Sequence, residues 1–215
     1  MPHTITKTVF NFDELSDSAK DKAREWYRNA SAGDSFFAES VIDDAVTCAK
    51  LIGIDIDRRP ARTASGTPTL GEPKVYWSGF SSQGDGACFE GNYRYVKGSV
   101  KAIAKHAPKD TELQRIAREL YRIQKQHFYS LSAECSQSGH YSHSGCMRVN
   151  VSDSRDERYD LSEAEDDVTQ ALRDFADWIY RQLEKEYEWS NADAQVDANI
   201  CANEYTFDVD GNRED

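Results

Sequence analysis

The sequence predicts an α+β fold, in which an antiparallel sheet of about five to six strands packs with several helices. Helical and strand patterns follow one another in blocks, and neighbouring strand patterns are joined by short polar turns. Residues 87–95 alternate with the period of two that is typical of a half-buried antiparallel strand. Strands that follow one another through short turns pair antiparallel, so a doubly wound parallel sheet is excluded.

Two amphipathic helices are predicted at the start of the chain, over residues 12–31 and 34–53. Ser16 is a suitable N-cap for the first helix, and Gly53 is a suitable C-terminal stop for the second. Residues 58–73 contain three prolines and two glycines. Because both residue types interrupt regular structure, we expect a mobile surface loop there.

The remaining elements are predicted from their periodicity. Asp110 is a candidate cap for a helix over 109–128, and the strongest helical signal covers 161–189, with a buried stripe at Val168, Leu172, Phe175, Ile179 and Leu183. We expect a short helix over 98–108 and another over 192–201. Strands are expected at 74–80, 87–96, 128–137, 140–153 and 204–211.

The size and composition of the chain indicate one α+β domain over residues 1–215. The chain has 215 residues, of which 39% are hydrophobic, so a substantial core can form. No stretch reaches the ~18–20 apolar residues that span a bilayer, and the first residues do not resemble a secretion signal. Five widely spaced cysteines favour free thiols, so we expect a cytoplasmic protein with no membrane association.

The net charge of −12 is distributed unevenly along the chain. Residues 129–215 carry seven Lys or Arg against 21 Asp or Glu, whereas residues 58–128 carry thirteen against six. An acidic protein repels nucleic acid and attracts basic partner surfaces, so the charge argues against direct nucleic-acid binding. For the basic middle we favour a solvated surface of mixed sign over a local nucleic-acid patch.

Two polar hairpins contain the candidate binding residues. The loop 78–90 follows an aromatic strand and contains glycines that allow close approach to a ligand, although it also fits a simple hairpin connection. The loop 138–146 is rich in histidine and serine. If the two loops converge, they form a groove for a small ligand or nucleotide, lined by Trp77, Ser78, Phe80, Ser81, Gln83, Asp85, Glu90, His140, Tyr141 and His143.

Metal binding and catalysis have weaker signals in these loops. His140, His143 and Cys146 are spaced by three, but a strand would place the two histidines on opposite faces, and no second ligand pair accompanies them. Cys88 or Cys146 beside a histidine could form a nucleophile, a combination that chance also produces. We therefore assign no catalytic residue, no metal and no cofactor, and favour a binding protein over an enzyme.

The long helix 161–189 has a strongly acidic face. Carboxylates in a first turn complement the helix dipole, and most such faces are simply solvated. Regularly placed carboxylates can alternatively mimic nucleic-acid phosphates and occupy the basic channel of a partner. The candidate acidic surface consists of Glu163, Glu165, Asp166, Asp167, Asp174 and Asp177.

Several motifs resemble a family of small phage and prophage proteins that are labelled antitoxin of a toxin–antitoxin stability system. They are "FDELSDSAKDKAREWYR", "YWSGFSSQGDGACFEG", "YVKGSVKAIAKHAPKDTELQRIARELYRIQKQHFYSL", "SGHYSHSGCM" and "ANEYTFDVDG". The resemblance covers most of the chain except residues 58–73, which look like an insertion. It implies a phage-derived protein in the cytoplasm of the bacterial host cell, and no catalytic residues carry over from it.

Two functional hypotheses follow from these observations. The first is an acidic interaction protein that binds and neutralises a bacterial host protein, either a toxin or a nucleic-acid-targeting defence complex of the CRISPR type. The alternative is a small-ligand or nucleotide-binding protein, or an enzyme, with its site between loops 78–90 and 138–146. A DNA-binding antitoxin is disfavoured because the sequence shows no helix-turn-helix with a basic recognition helix.

Overall fold

The α+β class is confirmed by the computed structural model, which describes residues 6–33, 35–137, 139–155 and 161–214. Within these ranges the chain forms six α-helices, and its strands pair antiparallel in small sheets. The helices are α1 (Asp17–Ser31), α2 (Phe36–Ile52), α3 (Ser99–His106), α4 (Thr111–Gln126), α5 (Ser162–Ser190) and α6 (Asp193–Ala202).

The strands fall into four antiparallel sheets, the largest with the order β2-β7-β8-β9. Their bounds are β1 (Phe10–Asn11), β2 (Ile54–Ile56), β3 (Arg58–Arg62), β4 (Pro68–Pro73), β5 (Val75–Trp77), β6 (Ala87–Phe89), β7 (Gly91–Arg94), β8 (Leu131–Gln137), β9 (Met147–Asp153), β10 (Thr206–Phe207) and β11 (Arg213–Glu214). Strands β8 and β9 form the longest ladder, from Leu131 opposite Asp153 to Gln137 opposite Met147.

The chain divides into two compact units, residues 39–184 and residues 1–38 with 185–215. In the second of these, α1 and α6 enclose a small core with β10, and its buried members are Phe12, Leu15, Ala19, Ala23, Val196, Ile200 and Phe207. The Arg24 guanidinium bonds both carboxylate oxygens of Asp197, at 2.7 and 2.8 Å. Ser16 caps α1 as expected, because its hydroxyl accepts the amide of Ala19. That residues 1–215 fold as one domain stays a prediction.

In the unit 39–184, helices α4 and α5 bury the apolar stripes that their sequences predict. Each residue of the expected stripe in α5, from Val168 to Leu183, is buried. Asp110 caps α4 by accepting the amide of Leu113 at 2.8 Å, as predicted. None of the helices in the described ranges has the length and apolar character needed to cross a bilayer.

Residues 58–73 form a hairpin, so the prediction that this segment lacks regular structure was wrong. Strands β3 and β4 pair antiparallel, with Pro60 opposite Leu70 and Arg62 opposite Pro68. Each strand of this two-stranded sheet is an edge strand. Proline, which has no backbone N–H to donate, is tolerated on edge strands. A register shift between Arg58 and Pro60 accommodates the irregular pairing.

The single strand predicted over residues 87–96 is divided at Glu90. Its first half, β6, pairs with β5, while its second half, β7, pairs with β2 and β8. At the division the Glu90 amide donates to Lys74, and its carbonyl accepts the Asp57 amide. Cys88 is buried as fully as Phe89, so the expected alternation fails in β6, whereas β7 keeps it, with Gly91 and Tyr93 buried and Asn92 and Arg94 exposed.

A buried glutamine connects the end of α4 to the start of β8. The Gln124 side chain is inaccessible to solvent and donates to the Leu131 carbonyl at 2.8 Å, while its own oxygen accepts the Leu131 amide at 3.3 Å.

Replacing Gln124 by methionine would leave both backbone groups of Leu131 buried without these partners, each costing about 1–3 kcal/mol. We expect Gln124→Met to lower the free energy of unfolding by about 2–4 kcal/mol in urea denaturation. An unchanged midpoint would contradict this, and exposed Gln126→Met is the control, expected within about 0.5 kcal/mol of wild type.

Candidate functional site

The two polar loops that the sequence singles out lie against each other. A Cβ atom at Gly86 would lie 3.0 Å from Cδ2 of His143 and 3.1 Å from the Ser142 carbonyl oxygen. One at Gly84 would lie 3.8 Å from the Tyr141 ring. The described part of the second loop is 139–146, because residue 138 lies outside the described residues. The convergence that the ligand-groove hypothesis requires is therefore present.

The polar groups of the first loop are largely used to hold its own shape. The Asp85 carboxylate accepts the amides of Ser82 and Ser81 at 2.6 and 2.9 Å, and these bonds lower the pKa of Asp85. Ser78 closes the loop, since its hydroxyl accepts the Gly86 amide at 3.3 Å and its amide donates to the Gly86 carbonyl. Gln83 is exposed.

Other candidates around the loops are also engaged in the fold. The carboxylate of Glu90 bonds the Lys74 ammonium at 2.8 Å. The Nδ1 atom of His143 accepts the Gly145 amide at 2.9 Å, which fixes the turn before β9. His140 lies edge-on to Tyr141, whose side chain is 63% exposed. Tyr141 is therefore an exposed aromatic side chain of this surface, whereas Glu90 and His143 are engaged within the fold.

The aromatic residues of the first loop form a row that ends on α5. Trp77 stacks on Phe80 with ring centroids 5.7 Å apart, and Phe80 contacts Tyr180 at 5.5 Å. The Tyr180 hydroxyl donates to the Gly79 carbonyl at 2.9 Å, and burial, with the charges of Glu184 and Asp85, raises the pKa of Tyr180. These contacts attach the loop to the helix and give it a defined position.

In the described residues the geometry lends no support to Cys88 as a nucleophile or to a metal centre in the loops. Cys88 is fully buried, and burial, with the charge of Cys146, raises the pKa of its thiol to about 11, so it is protonated at neutral pH. In the part of the chain that the structure describes, one group of three metal-ligating residue types lies within mutual reach. It consists of Asp44, Cys48 and His106, not of the histidines near Cys146.

Gly86 provides a test of the contact between the loops. Alanine at this position would place its methyl group against His143 and the Ser142 carbonyl, so the second loop must move by a few tenths of an ångström. We expect Gly86→Ala to shift the backbone amide resonances of residues 141–145. Gly79→Ala is the matched control, because its nearest neighbour is the Asp85 carboxylate at 3.5 Å. Unshifted resonances in the Gly86 variant would show that the loops are apart.

The candidate acidic surface on α5 is partly neutralised by α4. Asp167 pairs with Arg122 at 2.7 Å, and Asp174 pairs with Arg115 at 2.6 Å. Asp177 is half-buried, whereas Glu163, Glu165 and Asp166 are exposed. A continuous row of free carboxylates would be needed to mimic a phosphate backbone, and two of its six members already have cationic partners.

A second, chemically different site lies where β7 leads into α3. A pocket of about 690 Å³ that is open to solvent is lined by the end of β7, the turn before α3, one side of α4 and the turn after α4. This volume is in the range of about 300–1,000 Å³ that small-ligand sites occupy. Its lining residues are Tyr95, Lys97, Gly98, Ser99, Val100, Lys101, Arg118, Tyr121 and Tyr129. We call it the tyrosine–lysine cavity.

The charge of the tyrosine–lysine cavity is entirely positive. Lys97, Lys101 and Arg118 line it together with neutral residues. No carboxylate of the described residues lies within 4.0 Å of these three cations, and Arg118 instead donates to Gln114 at 2.9 Å. The neighbouring arginines of α4, which face α5, are ion-paired. The cavity therefore offers three cations whose charge is not already neutralised.

The start of α3 adds backbone donors to the same cavity. Gly98 occupies the N-cap position with φ +88°, and it has no side chain to cap the helix. The amides of Val100 and Lys101 thus lie in the first turn of a helix, where backbone N–H groups and the helix dipole favour an anion. The residues that carry the side-chain cations and the first-turn amides thus line one volume.

The aromatic wall of the cavity depends on an unusual backbone conformation. Tyr129 contacts Tyr95 with ring centroids 4.4 Å apart and Tyr121 at 6.1 Å. Phe128 and Tyr129 both have left-handed φ values, +55° and +64°, which cost non-glycine residues about 1–3 kcal/mol each. The hydrogen bond with Tyr121 and partial burial raise the pKa of Tyr129 to about 12. This backbone conformation places the Tyr129 ring in the lining of the cavity that the three cations share.

Sequence reasoning did not identify this cavity, although part of its signal is visible. Tyr95, Lys97 and Lys101 surround Gly98 at the start of a predicted helix, and the positive balance of residues 58–128 includes them. Arg118 and Tyr121 are three apart on the helix, so they share a face. Tyr129 joins them only because the chain reverses after α4, which no local pattern indicates.

A sequence model of one protein family matches residues 37–193, and its description reads "Domain of unknown function (DUF8835)". The matched segment includes both polar loops and the tyrosine–lysine cavity. No curated protein and no solved structure matches the chain.

Proposed function

The chain belongs to the DUF8835 family, and for this member we propose a binding function: the tyrosine–lysine cavity holds a nucleotide. The observation that carries the proposal is the joint presence around one cavity of three tyrosines and three cations that have no carboxylate partner among the described residues. Phosphate requires cations and N–H donors, and a base requires a flat ring on which to stack. A nucleotide combines both groups in a molecule of suitable size.

The roles of the residues follow from their chemistry. Lys97, Lys101 and Arg118 would bind the phosphate, with the first-turn amides of α3 as additional donors. The rings of Tyr121 and Tyr129 would contact the base. If the protein is phage-derived, binding would neutralise a defence factor by withholding the nucleotide on which that factor depends.

Calorimetry with a nucleotide and its two halves tests this proposal. ADP, GMP and a cyclic dinucleotide are titrated into the full chain, beside adenosine, which lacks phosphate, and ribose 5-phosphate, which lacks a base. We expect at least one nucleotide to bind at least tenfold more tightly than either half, and its affinity to fall as salt is raised. Equal affinity for a nucleotide and for ribose 5-phosphate would show that the cavity binds anions without recognising a base. If none of the probes binds, the proposal is wrong.

The second candidate function is neutralisation of a bacterial toxin or defence protein through the joined loops. The observation that favours it is the defined aromatic surface at the loop contact, where Tyr141 is 63% exposed beside Gly84. Exposed aromatic side chains in fixed positions are common anchors of protein interfaces. A tagged chain should then capture one host protein at 1:1 stoichiometry, and Tyr141→Ala should reduce the capture. Equal capture by the variant would exclude this surface.

A further inference from the structure

Three residues that could ligate a metal meet between α2 and the end of α3, away from the tyrosine–lysine cavity. Asp44 and Cys48 are four residues apart on α2 and therefore share a face, and His106 is the last residue of α3. The Nε2 atom of His106 lies 3.1 Å from Oδ1 of Asp44, and Sγ of Cys48 lies 3.8 Å from Oδ2 of Asp44. All three ligand atoms lie within 4.8 Å of one another.

We propose that Asp44, Cys48 and His106 bind a zinc ion. Tetrahedral zinc with ordinary bond lengths separates a nitrogen and an oxygen ligand by about 3.3 Å, and a sulfur from either by about 3.6 Å. The observed separations are 3.1 Å from Nε2 of His106 to Oδ1 of Asp44 and 3.8 Å from Sγ of Cys48 to Oδ2, the other oxygen of the same carboxylate. Since the three ligand atoms lie within 4.8 Å of one another, side-chain rotations that include the Asp44 carboxylate would bring them to tetrahedral separations.

The combination of donor atoms selects zinc among the common divalent ions. A thiolate and an imidazole favour zinc over magnesium or calcium, which prefer oxygen ligands. Cys48 is 1% exposed, whereas the Asp44 and His106 side chains are 58% and 36% exposed. The thiol therefore lies on the buried side of the site, and a metal ion can enter from solvent on the side of the two exposed ligands.

The surroundings supply negative charge, and the group of ligand residues found among the described residues has three members. Asp110 is close enough to influence Cys48 electrostatically. Its two oxygens are already used, because one accepts the Leu113 amide at 2.8 Å and the other accepts the Trp178 indole N–H at 2.7 Å. The fourth position would be filled by water, and the ion would join α2 to α3.

Cobalt substitution tests the site, because cobalt(II) reports thiolate ligation through a charge-transfer band. The purified full-length chain is stripped with a chelator and titrated with cobalt(II), and zinc affinity is then measured by competition. We expect one equivalent of metal and a sulfur-to-cobalt band that Cys48→Ser abolishes. Cys201→Ser is the matched control, since Cys201 is an exposed thiol elsewhere in the chain, and it should retain the band.

Two further variants keep the test independent of folding. Asp44→Asn and His106→Gln change exposed positions and preserve side-chain size, so the fold should persist while zinc affinity falls at least about tenfold each. His127→Gln should leave the affinity unchanged. Absence of stoichiometric binding, or a cobalt band that survives in Cys48→Ser, would overturn the proposal. Nucleotide calorimetry on the same variants should match wild type, so failure of this site and failure of the proposed function are distinguishable.

Discussion

Replacing Lys97, Lys101 and Arg118 together by glutamine is expected to weaken nucleotide binding at least 100-fold, as measured by calorimetry. A charge-assisted hydrogen bond contributes about 1.5–3 kcal/mol, and each tenfold change in affinity corresponds to about 1.4 kcal/mol. All three side chains are exposed, so the substitutions should leave the free energy of unfolding nearly unchanged. Loss of nucleotide binding with an unchanged free energy of unfolding would show that the substitutions act at the cavity and not through unfolding.

A triple control separates local contacts from overall charge. Lys105, Lys109 and Lys125 are exposed and do not line the cavity. Their replacement by glutamine changes the net charge by the same amount. We expect this control to lower affinity less than about threefold, through long-range electrostatics alone. If the two triple variants lose affinity equally, the three cavity cations make no specific contact.

Phe175→Ala is expected to lower the free energy of unfolding by about 3–5 kcal/mol, the range for truncating a buried phenylalanine. Phe175 is inaccessible to solvent, and its ring contacts Phe89 edge-on at 5.9 Å and stacks on Trp178 at 5.5 Å. Trp178 in turn donates to Asp110, the cap of α4. The truncation thus removes packing between β6 and α5 and loosens the start of α4.

Urea denaturation followed by far-ultraviolet circular dichroism measures this effect. Leu70→Ala is the control, because Leu70 is 74% exposed on β4 and should change the free energy of unfolding by no more than about 0.5 kcal/mol. A Phe175 variant as stable as the control would contradict the packing of α5 against β6.

The helices were predictable from sequence because their signals are local. The stripe of α5 repeats every three or four residues, and the caps Ser16 and Asp110 precede their helices directly. The strands were less predictable, since pairing depends on distant partners. Glu90 changes partners through bonds to Lys74 and Asp57, so one continuous pattern became two strands.

The candidate site could be predicted only in part, for a related reason. The convergence of the two polar loops was a stated condition of the ligand-groove hypothesis, and Gly86 does contact His143. The sequence could not show that Asp85 and Glu90 are occupied by hydrogen bonds and ion pairs within the fold. Nor could it show that the chain reversal at Phe128 would bring Tyr129 to Tyr95 and create a separate cavity.

Backbone amide NMR during a nucleotide titration distinguishes the two candidate sites in one experiment. If the nucleotide binds in the tyrosine–lysine cavity, we expect the largest chemical-shift changes at residues 95–101, at Arg118 and Tyr121 of α4, and at Tyr129. Changes confined to residues 78–86 and 139–146 would place the ligand in the joined loops and contradict the assignment of nucleotide binding to the tyrosine–lysine cavity.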